Sequence, residues 1–225
     1  MKKTIATIAA LGLAAVLTGC SSHAQIDMPV TTYTGLDGFS GKTVNYELLY
    51  SQPKPGYFKN GEKQPMQPLE KVELSVASAR AMQKMTRLVE SQLPSDAKMV
   101  QSDAASDMTL VVEMEARDRR GPAYSDYQAA KSFGANMLTM GMAASRYEII
   151  ADFDVNYKLI HGGRTLYEKP YKVAEVLPHK KGDFDKHAPS EFASQLLEKH
   201  MAITLGDFLK KANSSVKSTQ MTAGK

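Results

Sequence analysis

The strongest pattern in the chain is strict alternation over residues 146–160. Tyr147, Ile149, Ala151, Phe153, Val155, Tyr157 and Leu159 fall on one side, and Glu148, Asp152, Asp154, Asn156 and Lys158 on the other. A period of two with one apolar side predicts a strand with one dry and one wet face. His161-Gly162-Gly163-Arg164 follows, and paired glycines accept the positive φ of a two-residue turn, so residues 165–177 should return as a hairpin partner. Pro170 marks that partner as an edge strand or a bulge. Residues 108–116 alternate as cleanly, with Met108, Leu110, Val112, Met114 and Ala116 on one side. Residues 42–50 repeat the pattern through Val44, Tyr46, Leu48 and Tyr50 and predict a first strand.

Two other stretches change period. Over residues 69–93, Val72, Val76, Ala79, Met82, Met85, Val89 and Leu93 recur every three or four positions, which predicts one amphipathic helix between Pro68 and Pro94. Residues 189–211 predict a second, with Phe192, Leu196, Ile203 and Leu209 leading its apolar side and Leu197 and Phe208 widening it. The order strand, helix, strand, hairpin, helix leaves one-sided strands that need helical cover. The expected fold is α+β: a two-layer sandwich of a mainly antiparallel sheet covered by two helices, in a single domain over residues 35–211.

Three stretches stand outside this pattern. Residues 51–68 carry Pro53, Pro55, Pro65 and Pro68 and read as a long loop, either a tolerated insertion or a binding loop with Tyr57 and Phe58 as its contact residues. Residues 212–225 are rich in Ser, Thr and Lys and read as a disordered tail. Residues 129–145 have little charge and many small residues, with Phe133, Met137, Leu138, Met140 and Met142 as their large apolar members. They read as a buried arm, as a docking surface, or as a segment that dips into a bilayer interface.

The amino terminus has the layout of an export signal. Lys2 and Lys3 precede an apolar run over residues 5–16, too short for a membrane span of ~20 residues. Leu17-Thr18-Gly19-Cys20 closes it and resembles the lipobox of bacterial lipoproteins at all four positions. The resemblance implies removal of residues 1–19, a diacylglyceryl group on the Cys20 sulfur and a fatty acyl chain such as palmitate on the new amine. A thiolate is the side-chain nucleophile suited to forming such a thioether. Cys20 is also the only cysteine, so no disulfide within the chain competes for it. Residues 20–34 then read as a lipidated tether. Ser21, rather than Asp, implies the outer membrane and its periplasmic face over the inner membrane.

A weaker likeness covers about thirty residues. Leu138-Thr139-Met140-Gly141 ahead of the alternating strand is similar to small Gram-negative envelope lipoproteins that assist lipopolysaccharide assembly or lipid-transport systems.

Charge narrows the partners. Lys and Arg number 28 against 24 Asp and Glu, and loss of Lys2 and Lys3 with the signal leaves 26 against 24. Such a balance lacks the basic footprint of a nucleic-acid binder. No nucleophile elbow, phosphate loop, dinucleotide fingerprint or zinc-protease motif occurs. His179, Asp183, Asp185 and His187 form the one cluster suggesting a metal, but Lys180, Lys181 and Lys186 oppose a cation there, and no metal or cofactor is expected. Glu148, Asp152 and Asp154 read as a solvated strand face. Arg117, Arg119 and Arg120 read as a charged turn or as a contact for lipid phosphate or an acidic partner. The expectation is a non-enzymatic envelope lipoprotein, held to the membrane through Cys20, that binds another envelope protein. The alternatives are an auxiliary of lipid or lipopolysaccharide transport and an envelope hydrolase with a site joining His179 or His187 to Asp152 or Asp154.

Overall fold

The computed structural model describes residues 24–29, 35–56, 61–100, 105–129, 145–181 and 188–223. Cys20, Tyr57, Phe58, Phe133, Met137, Leu138, Met140, Met142, Asp183, Asp185 and His187 lie outside them. Among the described residues seven strands make one sheet: β1 (Thr43–Ser51), β2 (Gln67–Pro68), β3 (Lys98–Val100), β4 (Met108–Ala116), β5 (Ala123–Tyr127), β6 (Ser145–His161) and β7 (Arg164–Lys181). Among the described residues three α-helices accompany it: α1 (Val76–Met82), α2 (Met85–Glu90) and α3 (Pro189–Ala223). The fold is α+β, as the patterning predicts.

β6 organises the sheet. One of its edges carries β7 from Ser145↔Lys181 to His161↔Arg164. The other is shared end to end by β5, from Tyr127↔Tyr147 to Ala123↔Ala151, and by β4, from Ala116↔Phe153 to Thr109↔Ile160. β1 joins β4 in parallel, which requires a crossover, and α1 and α2 lie in that crossover. The predicted hairpin forms, with Gly162 and Gly163 at φ of 55° and 74°. Pro170 sits in an unbroken ladder on the outer strand, so its nitrogen faces away from β6. The register shift lies instead at Leu159/Ile160.

The dry face of β6 is capped by α3. Ile149, Phe153, Tyr157 and Leu159 are fully buried, as are Leu196, Met201, Leu205 and Phe208 on the helix. Two expectations about α3 need correction. Ile203 is 45% exposed, and Met201 and Leu205 occupy the seam in its place. The tail is not disordered from Ala212: the helix runs to Ala223. Ala212, Asn213 and Val216 return at helical spacing and are buried, and the Asn213 amide donates to Gly35 O at 2.7 Å and accepts from Gly38 N at 2.8 Å. The Ser, Thr and Lys residues that suggest disorder lie between these inward positions.

The helix predicted over residues 69–93 is also corrected. Leu69–Lys71 is a single 3-10 turn, residues 72–75 are not helical, and α1 starts at Val76. The cause is a competing set of hydrogen bonds. Gln64 holds both backbone groups of Glu73, accepting from Glu73 N at 2.8 Å and donating to Glu73 O at 2.9 Å. Helix starts only after Ser75, whose side chain caps Ser78 N at 3.1 Å. The proline-rich stretch, expected as an irregular loop, is an antiparallel excursion: Pro53 bridges Lys63, and Lys54 N donates to Glu62 O at 2.8 Å.

The expected tether is shorter than residues 20–34. Ala24 is buried in the core, and its amide donates to His179 Nδ1 at 3.1 Å.

Candidate binding groove beside the β5 edge

The turn between β4 and β5 is built on Asp118. Its carboxylate accepts from Arg120 N at 2.8 Å, and its carbonyl accepts from Gly121 N at 3.0 Å. Gly121 has φ of +114°, and a Cβ there would lie 2.3 Å from Ser78 Oγ and 3.3 Å from Ser78 Cα. Glycine is therefore needed both for the conformation and for the approach to α1. Ser75 Oγ completes the seam by donating to Arg120 O at 3.0 Å.

This turn sets the direction of β5. Among the described residues β5 pairs with β6 alone, so no second described strand covers its other edge. Beside that edge lies a groove of about 340 Å³, between α1, β5 and the first turn of α3. The volume falls within the ~300–1,000 Å³ range of small-ligand sites. Ala123 and Ala193 make its buried floor. Val76 and Arg80 stand on one wall, Tyr124 and Arg120 on the next, and Ser190, Glu191 and Ser194 at the helix start, where Glu191 is the one carboxylate among the described residues of the lining.

Two arginines reach this groove in different states. The Arg120 guanidinium meets Asp118 at 2.9 and 3.0 Å and Asp126 at 2.8 Å, with its carbon 3.8 Å over the Tyr124 ring. Burial pushes the Asp118 carboxyl up, but the hydrogen bonds and charge of Arg120 outweigh it and hold the group below the usual carboxylate range. Arg120 is thus a neutralised, rigid wall. Arg80 is exposed and has no ionic partner among the described residues, so it can meet an incoming carboxylate.

The sequence points to this site only in part. Arg120 belongs to the predicted charged turn, but the turn splits: Arg117 binds Asp152 and Asp154 on the wet face, and Arg119 donates to Gly56 O at 3.3 Å. Val76, expected on the buried stripe, is 72% exposed and faces the groove. Arg80 and Ser190 carry no signal in the pattern, because their meeting depends on how the turn docks. The route to a hydrolase is not assembled from the described residues. His179 packs 4.5 Å from the Phe192 ring on the α3 side, while Asp152 and Asp154 lie on the other face of the sheet with Arg117. Among the described residues no cluster of three or more His, Cys, Asp or Glu could hold a metal, and no helix is long and apolar enough to cross a membrane.

This geometry defines an α+β domain with an edge-strand groove. No family model matches the chain, and no curated protein matches it. Among solved structures it is similar to a DUF330 protein of Xanthomonas campestris at 10% identity and a TM-score of 0.44, covering 89% of this chain and 99% of that one. It is also similar to a homolog of the neuraminyllactose-binding hemagglutinin from Helicobacter pylori, at 10% identity and a TM-score of 0.43, covering 89% and 100%. Rare lipoprotein B of Shewanella oneidensis aligns at 15% identity and a TM-score of 0.23, covering 80% and 99%.

Proposed function

We propose that this chain is a lipid-anchored lipoprotein on the periplasmic face of the outer membrane, acting without catalysis as a binding or assembly module for another envelope protein. The lipobox at Cys20 supports the anchor. The groove beside β5 supports the binding role, and it is the observation on which the reading rests. A strand edge that no second described strand covers offers backbone hydrogen bonds to an extended segment, and flanking pockets select its side chains. Val76 is a large apolar side chain left exposed at the groove wall, and Arg80 is a cation without a described partner. The occupant that suits them is an extended peptide with an apolar residue next to a carboxylate.

Photo-crosslinking in intact cells tests this. A photoreactive residue at Val76 or Ser125 should give one discrete adduct with a second envelope protein, and the same residue at Arg164 should not. Arg80→Glu should abolish the adduct. Equal labelling at Arg164, or no adduct at either groove position, removes the reading. The anchor has its own test: palmitate labelling should be lost in Cys20→Ala.

The transport-auxiliary alternative places Phe133, Met137, Leu138, Met140 and Met142 against acyl chains or a transporter. Replacing Met137, Leu138 and Met140 with Asp should then weaken the permeability barrier, and an intact barrier would remove it.

A further inference from the structure

We infer that the end of the sheet where Ala24, Tyr127, Lys180 and Lys181 meet is the side of the domain that lies on the bilayer, against an anionic lipid surface. The inference deepens the lipoprotein reading and rests on acylation of Cys20.

The first argument is length. Ala24 is buried and tied through its amide to His179 Nδ1 at 3.1 Å. Cys20 precedes it by four residues, and four residues reach at most about 14 Å. An acyl anchor at Cys20 therefore holds this end at the headgroups. The other end of the long ribbon is far away. β6 has 17 residues, so the turn at Gly162-Gly163 stands roughly 50 Å from Ser145.

The second argument is what else meets at this end. The cross-strand line Tyr127↔Tyr147↔His179 crosses the sheet there. Its rings form a chain: Tyr127 to Tyr147 at 5.2 Å, Tyr147 to His179 at 6.4 Å, and His179 to Phe192 at 4.5 Å. Tyr127 is 48% exposed at the outer end of the chain. Amphipathic rings of this kind favour the headgroup layer. One register step further out, Arg146 faces Lys180 and Ser145 faces Lys181. Lys180 is exposed, and neither lysine has an ionic partner among the described residues, which suits anionic headgroups.

The third argument is where the apolar stretch is attached. Residues 130–144 depart after Ala129 and rejoin at Ser145, both at this end. The β5 groove is close by, since Tyr124 is three residues from Tyr127, or about 10 Å. A partner seated there would be held near the membrane surface.

The chain has no tryptophan, so a single one reports its own surroundings. Full-length acylated protein carrying Tyr127→Trp, Lys180→Trp or Arg164→Trp is reconstituted into phosphatidylglycerol-containing vesicles with brominated acyl chains. The emission at positions 127 and 180 should shift to shorter wavelength and be quenched at least about twofold, while position 164 stays unquenched. Both tested sites are solvent-accessible, and circular dichroism identifies any variant that misfolds, leaving the other to decide. Quenching at 164, or none at 127 and 180 in protein that floats with the vesicles, overturns the orientation alone. Absence of the diacylglyceryl mass on the Cys20 peptide overturns the lipoprotein reading and this inference with it.

Discussion

α3 and the first crossover both bury apolar side chains against the same sheet, but only the crossover adds a buried polar network. α3 meets β6 along an apolar seam in which Phe153, Leu205 and Phe208 are fully buried. The crossover buries its own apolar side chains, Met82, Met85 and Val89, and adds to them a set of polar groups that are equally buried. Tyr50 OH donates to Gln52 Oε1 at 2.9 Å, Ser78 Oγ donates to the same oxygen at 2.8 Å, and Gln52 Nε2 donates to Glu73 O at 3.1 Å. Ser51 Oγ adds a bond to Gln64 O at 2.7 Å. Burial pushes the Tyr50 phenol well above its ordinary range, so it stays a neutral donor. The seam is non-directional and scales with area. The polar clamp is directional, and each bond adds little net stability while each broken one leaves a desolvated group behind. The seam supplies most of the stability, and the clamp decides where the turn and α1 sit, and with them the groove.

The comparison predicts the largest loss from the seam. Phe153→Ala removes a fully buried ring opposite α3 and should cost about 3–5 kcal/mol, read as a lower urea midpoint. A loss below about 1 kcal/mol would mean that α3 is not the main cover of β6.

Gly121→Val acts at the junction of turn and clamp. The positive φ and the 2.3 Å approach to Ser78 Oγ should together cost about 3 kcal/mol. Gly162→Ala is the control, because its φ is also positive (+55°) but nothing lies within 4 Å of its added carbon. It should cost only about 1–2 kcal/mol. Equal losses would show that close packing at Gly121 contributes nothing. Crosslinking from Val76 should also fall in Gly121→Val and remain in Gly162→Ala.

Gln64→Ala tests the clamp by itself. It strips Glu73 N of its acceptor and Glu73 O of one donor, and should cost about 1–3 kcal/mol. Amide exchange should rise first around Glu73 and the start of α1, with β6 unchanged. Exchange rising uniformly would mean that clamp and seam unfold as one unit.

The same contrast explains what could be read in advance. β4, β6 and β7 are apparent in the sequence because burial on one face writes a period of two, and Gly162-Gly163 marks the turn. The seam residues of α3 were mostly recoverable, since Leu196, Leu197, Phe208 and Leu209 keep helical spacing. The clamp was not. Gln52, Gln64 and Ser78 look like surface residues by type, and nothing local says that Gln64 will take the backbone of Glu73 out of a helix. β5 leaves no clear pattern, because Ala123-Tyr-Ser-Asp-Tyr127 is short and half polar, and its partner lies on the far side of residues 130–144. The groove inherits both difficulties, since its walls come from the end of the clamp and from β5.

The smallest expected effect lies at the rim of the seam, where charge replaces area. Asp207 on α3 accepts from Lys169 at 2.8 Å and Tyr171 at 2.6 Å on β7, and from Lys211 at 2.8 Å. Burial raises its carboxyl, but these hydrogen bonds and the lysine charges outweigh it and hold the group well below the usual carboxylate range. A depressed folded-state pKa stabilises above the unfolded value, and the gain is lost as pH falls through the folded one. The Asp207 side chain is 40% exposed, so solvent screening keeps the contribution at about 1 kcal/mol or less. Asp207→Asn should therefore lower the Tm slightly at pH 7, and the gap to the parent should close as pH falls below about 4. The seam beneath carries no such charge and should not share this pH dependence, so Phe153→Ala should keep the same acid limb as the parent. A gap that widens in acid would mean that Asp207 destabilises the rim, leaving the apolar seam alone to hold α3 to β7.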